Sequence, residues 1–251
     1  MPLLVHPFDN PRRLFARFHP FARWLSNDTH DVQLSLLASY QEQLDRITCK
    51  KHPNLAYLGP TTFYLAQQVN PNIQPLAMET INNKTHFRAL LLTKAREGET
   101  NSVFNLIGKK LATGDELSLG STLYPLYLLK QLGITTAQLA QIEGYKNHDQ
   151  ILQALLHDQV DYGSVREDIA NTYLGRGLSV VHQSPPLPPH ILVASEKVPK
   201  ALCESLIALL TDPLNQSAFV SLGTQRGFTH YETSAYEFMP QLFSTLSEIP
   251  S

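Results

Sequence analysis

Two cysteines in 251 residues, Cys49 and Cys203, are too few for a disulfide framework and lack metal-ligand spacing. They read as two buried thiols or a single bridge. No apolar run reaches the roughly 20 residues of a membrane helix, which argues against direct membrane insertion. The start, Met1-Pro2-Leu3-Leu4-Val5-His6, lacks the charged, apolar and small-residue regions of a secretory signal. That fits either a cytoplasmic protein or a processed mature chain. An excess of either charge is also absent: 20 basic side chains against 22 acidic ones give a net charge of -2, which offers nucleic acid no basic field. Any anion site must therefore be local. A Gly-x-Ser-x-Gly elbow, a nucleotide-binding Gly-Lys-Ser/Thr loop and a zinc motif are all lacking, and so are internal repeats and heptads.

What is present is an alternation of short apolar runs with helical periodicity, the pattern of an α/β protein. Leu3 to Val5 reads as a strand, followed by a helix capped by Asn10 with Pro11 at its first position and a buried stripe of Leu14, Phe15, Phe18, Phe21, Ala22 and Leu25. Val32 to Ala38 is a second strand. Ser39 and Glu42 pair as a capping box, and Leu55 to Leu58 is a strand ending at the helix start Gly59-Pro60-Thr61-Thr62. The middle section begins around Ile73 to Met78; Phe87 to Thr93, Lys110 to Thr113, Val160 to Val165, Leu178 to His182 and Ile191 to Ala194 are further strands, with a short helix at Val103 to Ile107. Helices follow from His148, Pro199 and Leu214. The stretch Ser184-Pro185-Pro186-Leu187-Pro188-Pro189 is stiff and extended, suited to a crossing between lobes.

The most informative segment runs from Gly114 to Pro125, a small-residue turn that enters an apolar helix burying Leu123, Leu126, Tyr127 and Leu129 and ending at Gly133. A helix opened this way presents unpaired N–H groups and the positive end of its dipole, which bind phosphate-like groups without a cationic side chain.

These segments, taken in order, resemble the substrate-binding proteins of phosphate, phosphite and phosphonate ABC transporters. The likeness runs through Asn10-Pro11, Ser39-Tyr40, Leu55 to Pro60, Gly108-Lys109-Lys110 before Gly114-Asp115, Asn147-His148, Val160-Asp161, Ser184 to Pro188, Gly227-Phe228 and Tyr236. It implies the type II periplasmic-binding fold. Two α/β lobes, each a mixed sheet flanked by helices, are joined by two crossing hinge segments: residues 1–77 plus 184–251, and residues 78–183.

The resemblance also implies the site. In the family a Ser-Thr-Ser run at the second lobe's helix start grips the oxyanion with help from a histidine. Here the run is Ser118-Leu119-Gly120, with Ser121 and Thr122 following, and His148 matches the histidine. Two hydroxyls are missing at the matched positions, and Ser121 or Thr122 would replace one. Tyr40 falls on a ligand-contacting tyrosine and Phe87 on a second that has lost its hydroxyl. Asp168 falls on an acid that holds a ligand ammonium, while His190 replaces a second acid and Arg166 an asparagine, so the ammonium pocket is at best half present.

Each residue has a plain structural alternative. Ser118 is also a helix cap, His148 a helix-start residue in solvent, and Tyr40 and Phe87 core aromatics. Arg166 and Asp168 would be a solvated pair, His190 a hinge-surface residue, and Thr61 and Thr62 helix caps, although that helix end points toward the expected cleft.

Three functions follow. The leading one is a monomeric, cofactor-free and metal-free receptor, extracytoplasmic by resemblance, that closes on an oxyanion and delivers it to permease subunits. The second is a sensing module of the same fold with altered ligand. The third is a hydrolase using Ser118, His148 and Asp168.

Overall fold

A computed structural model of the protein describes residues 1–96, 102–223 and 225–247. In chain order its elements are β1 (Pro2–Val5), α1 (Pro11–Trp24), β2 (Gln33–Leu36), α2 (Tyr40–Thr48), β3 (Leu55–Leu58), α3 (Pro60–Val69), β4 (Gln74–Ile81) and β5 (Ala89–Lys94). There follow β6 (Lys110–Thr113), α4 (Tyr124–Gln131), β7 (Gln141–Gly144), α5 (His148–Leu156), β8 (Tyr162–Arg166) and α6 (Glu167–Ala170). The chain finishes with β9 (Leu178–Gln183), β10 (Ile191–Ala194), α7 (Lys200–Thr211), β11 (Arg226–Thr229) and α8 (Phe238–Ser247). It divides into two units, one of Met1–His86 with Pro188–Tyr236, the other of Phe87–Leu187 with the chain from Glu237 onward.

The first unit is built on a six-stranded mixed sheet in the order β11-β4-β10-β3-β1-β2. β1 pairs parallel with β2 and β3, whereas β10 runs antiparallel to both β3 and β4. β1, β3 and β10 are the central strands, and their apolar runs are buried on both faces, as such strands require. The Asn10 side chain accepts from the Arg12 N–H to start α1, as its position before Pro11 predicts. Leu14, Phe18, Phe21 and Ala22 of α1 are buried, and the rings of Phe18 and Tyr57 lie 5.0 Å apart. Each of the leucine and phenylalanine side chains contributes about 1.5–3 kcal/mol by leaving water.

Phe15 does not join this stripe. It is 53% exposed and stacks on His19 instead. Its position next to Leu14 rotates it about 100° off the buried face. The capping of α2 also departs from the simple box: the Ser39 hydroxyl accepts from the Glu42 N–H, but the Glu42 carboxylate accepts from Ala38, one residue before the cap.

In the second unit the sheet order is β7-β6-β8-β5-β9. β6 lies parallel to β7 and β8, and β5 antiparallel to β8 and β9. Its core comprises Leu90, Leu92, Ala112, Val165 and the Ile151, Leu152 and Leu155 face of α5. Glycine is required at 163, where a β-carbon would stand 2.6 Å from Ile151 Cγ2, so α5 packs directly on the strand backbone.

The buried face of α4 is Tyr124, Pro125, Leu128 and Leu129; of the predicted Leu123, Leu126, Tyr127 and Leu129, Leu129 is buried and the other three are not. A π-helical turn, Leu119–Leu123, precedes it, and its i to i+5 bonds add a residue before α4 begins. Tyr124 and Leu128 are thereby buried in place of Leu123 and Tyr127.

The resemblance implies that the whole tail, residues 184–251, belongs to the first lobe. α8 instead packs on α4: the rings of Tyr127 and Phe238 meet edge-on at 5.3 Å, and the Lys130 ammonium donates to the Thr245 carbonyl. The sequence pattern does not announce the strands β7 and β11. Both are short edge strands, Gln141-Ile142-Glu143-Gly144 and Arg226-Gly227-Phe228-Thr229, without an apolar run. Cys49 is half-buried and Cys203 buried, both as free thiols.

Tyr124 and His182 share a hydrogen bond of 2.9 Å between α4 and β9. Burial lowers the His182 pKa below its usual 6.5 and raises that of Tyr124 to about 12. Between the lowered folded value and 6.5, the unfolded chain binds more protons at His182 than the native one, so stability rises with pH there and is lost on acidification. Melting followed from pH 7.5 down to 5 is expected to fall less steeply in a His182→Gln variant than in the wild type. Equal slopes would remove His182 from the account.

Candidate functional site

Three parallel strands of the second unit end at one edge of its sheet, β6 at Thr113, β7 at Gly144 and β8 at Arg166. From these carboxyl ends leave the Ser118 turn, the start of α5 and the start of α6. In α/β sheets this edge is where ligands bind.

The turn is shaped by two glycines. A β-carbon at Gly114 would lie 2.2 Å from Ser121 Oγ, so only glycine lets the turn fold back on itself, and the Gly114 N–H donates to the Ser121 carbonyl. At Gly120 a β-carbon would stand 3.2 Å from Phe87 Cε2 and 3.8 Å from Arg166 Cγ. The Gly120 carbonyl accepts from Ser164 Oγ of β8 at 2.6 Å.

Ser118 caps the helix. Its hydroxyl oxygen accepts from both the Ser121 N–H and the Ser121 hydroxyl, which leaves its own O–H proton as a donor. Thr122 and Leu123 send their N–H groups back to the Ser118 carbonyl. The N–H groups of Leu119 and Gly120 thus fall in the first turn, before any helical carbonyl can receive them. Thr122 is buried, and its hydroxyl has no hydrogen-bond partner among the described residues. A buried donor left without an acceptor costs about 1–3 kcal/mol, so this turn is arranged for an acceptor.

Arg166 sits at the end of β8, buried, with its guanidinium 4.8 Å over the Phe87 ring. Its Nε and one terminal nitrogen donate to the two oxygens of Asp168 at 3.0 and 3.4 Å. The pair is therefore half-hidden rather than solvated. Asp115, in the turn itself, accepts from the Leu117 N–H, and burial raises its pKa above the usual carboxylate value. His148 opens α5 behind the Asn147 cap and is buried rather than in solvent.

The first unit carries its own polar cluster. Tyr40, His190, Thr61 and Thr62 are all buried. The ring of His190 stacks on Tyr57 with centroids 5.0 Å apart and planes 3° from parallel, and its Nδ1 lies 3.6 Å from the Glu79 carboxylate. Glu79 is also held by the Arg226 guanidinium. His6 lies between, 4.0 Å from Tyr40 and 5.8 Å from His190, centroid to centroid. The Tyr236 hydroxyl donates to the Pro189 carbonyl, and burial pushes its pKa well above 10.

The structure thus brings Ser118, Leu119, Gly120, Ser121, Thr122, Phe87, Arg166 and Asp168 into one contact network. Tyr40, Thr61 and His190 gather at the start of α3 in the first unit. The spacing alone misses Ser164, His6, Glu79 and Arg226. Glu79 offered a signal: a carboxylate inside the apolar strand Leu76-Ala77-Met78-Glu79 needs a buried cation. Ser118 is tied to Ser121 and Asp168 to Arg166. Among the described residues no His, Cys, Asp and Glu group could hold a metal ion, and no helix is long and apolar enough to cross a membrane.

Known structures share this architecture. PhnD1 of Prochlorococcus marinus, solved in complex with methylphosphonate, is 18% identical and covers 99% of this chain and 98% of its own at a TM-score of 0.86. A binding protein component of an ABC phosphonate transporter from Pseudomonas aeruginosa is 16% identical, covering 97% and 85%, at 0.81. The aliphatic sulphonate binding protein SsuA of Escherichia coli is 12% identical, covering 100% and 94%, at 0.62. Two mixed sheets flanked by helices, as in these proteins, are the type II periplasmic-binding fold. The family model described as "ABC transporter, phosphonate, periplasmic substrate-binding protein" matches residues 3–236. The chain belongs to that family of periplasmic substrate-binding proteins.

Proposed function

We propose that the chain is the extracytoplasmic receptor of an ABC uptake system. It binds phosphate, phosphite or a small alkylphosphonate at the Ser118–Thr122 turn and passes it to membrane permease subunits without catalysis, as a monomer needing no cofactor. The observation that carries the reading is the turn itself: first-turn N–H groups at Leu119 and Gly120 beside a buried Thr122 hydroxyl that has no partner among the described residues. Charge-assisted hydrogen bonds to an oxyanion contribute about 1.5–3 kcal/mol each, so three such donors supply most of a micromolar affinity. The methylphosphonate complex of the Prochlorococcus protein supports the ligand class.

Arg166 bears on the ligand's other end. Asp168, matched by resemblance to an ammonium-holding acid, already has a bidentate cationic partner. Isothermal titration is expected to give binding of methylphosphonate or phosphate, with aminoethylphosphonate no tighter than methylphosphonate. Folded protein that gives no heat with any of these anions or with phosphite would sink the receptor reading. A tenfold preference for the amine-bearing ligand would sink only the Asp168 argument.

A further inference from the structure

The start of α3 in the first unit has chemistry that the Ser118 turn does not account for. Gly59 stands at its cap position and offers no side-chain acceptor or donor, and Pro60 has no N–H, so Thr61 and Thr62 contribute the first free amides of a ten-residue helix. The next amide, at Phe63, is already bonded to the Gly59 carbonyl at 3.0 Å. Both threonines are fully buried, and both hydroxyls lack a hydrogen-bond partner among the described residues. Threonine usually stands at a helix start as the cap, with its oxygen receiving an amide. Here the threonines follow the cap and their oxygens receive nothing.

Buried donors without acceptors are rare in native proteins, and two adjacent hydroxyls on one helix turn are rarer. The surroundings select for negative charge. The helix dipole places its positive end at this turn. A β-carbon at Gly59 would lie 3.7 Å from His190 Nε2 and 3.8 Å from Tyr40 Cε1, so an imidazole nitrogen and a phenol ring border the cap. The nearby carboxylate, Glu79, is engaged on the other ring nitrogen of His190 and by Arg226.

We infer that the first turn of α3, with its Thr61 and Thr62 hydroxyls, is a second anion-binding point that takes an oxygen of a carboxylate, phosphate or phosphonate group. The inference rests on the reading that this chain binds a small oxyanion. The oxygen comes from a phosphorus head, from a carboxylate or from a free phosphate ion.

The test uses the full chain and three probes: methylphosphonate, phosphonoacetate and inorganic phosphate. In ¹⁵N-resolved NMR titration of the wild type, the Thr61 and Thr62 amide signals are expected to move. By calorimetry a Thr61→Val/Thr62→Val variant, which keeps the side-chain shape, is expected to bind at least one probe about tenfold more weakly, the factor of one charge-assisted hydrogen bond. Thr61→Ser/Thr62→Ser is expected to restore it. Loss with methylphosphonate identifies the phosphorus head, loss confined to phosphonoacetate the second acidic group, and two phosphates bound per wild-type chain a separate ion. Unmoved amides with unchanged affinities for all three probes would overturn the inference and leave the Ser118 turn standing. If the valine variant fails to fold, the wild-type amide shifts decide. No heat from any probe in the wild type would remove the oxyanion reading and this one together.

Discussion

Replacing Gly120 with aspartate is expected to weaken oxyanion binding at least about 100-fold while leaving the chain folded. A β-carbon there would stand 3.2 Å from the Phe87 ring edge, and the added carboxylate would sit in the turn whose amides are proposed to receive the anion. Losing two charge-assisted hydrogen bonds at about 1.5 kcal/mol each is by itself a factor of more than 100, before like-charge repulsion is counted. Gly120→Ala separates the two effects. It adds the β-carbon without the charge, and its binding is expected to lie between those of the wild type and Gly120→Asp. Calorimetry with methylphosphonate and phosphate reads the affinities, and circular dichroism with thermal melting confirms the fold. Wild-type affinity in folded Gly120→Asp would place the oxyanion elsewhere.

Replacing Glu79 with leucine is expected to cost about 3–5 kcal/mol of stability, the usual result of removing one partner of a buried ion pair. Glu79 is 2% exposed on β4 and holds both Arg226 and the Nδ1 side of His190, while its own N–H donates to the His190 carbonyl at 2.8 Å. Leucine fills the space but leaves the guanidinium and imidazole without their carboxylate. Glu79→Gln keeps an acceptor and is expected to lose less. Chemical denaturation of both variants decides the matter: a Glu79→Leu midpoint and slope equal to those of the wild type would show that this cluster contributes nothing net.

Much of this was legible in the residues because central strands announce themselves. Leu3-Leu4-Val5, Leu55 to Leu58 and Lys110 to Thr113 are short apolar runs bounded by turns, and each is a strand with those limits or nearly so. Caps at Asn10, Ser39, Ser118 and Asn147 were readable for the same local reason. Edge strands β7 and β11 were not, since a neighbour's hydrogen bonds rather than their own pattern make them strands. The face of α4 was misplaced because nothing in Leu119-Gly120-Ser121-Thr122-Leu123 reveals an extra residue in the turn. In the candidate site, hydroxyl and glycine positions could be read directly. The Arg226–Glu79–His190 pairing joins residues far apart in the chain, and only tertiary packing reveals it; Arg166 and Asp168 could be paired from the sequence, but not the burial of the guanidinium over Phe87.

The docking of α8 on α4 has a consequence for how the chain is made. Residues 87–187 are complete before α8 is made, and Tyr127 and Lys130 find Phe238 and Thr245 only when more than fifty further residues have been added. The nascent second unit therefore waits with an apolar flank uncovered, an interval in which a chaperone or a premature stop codon would decide its fate.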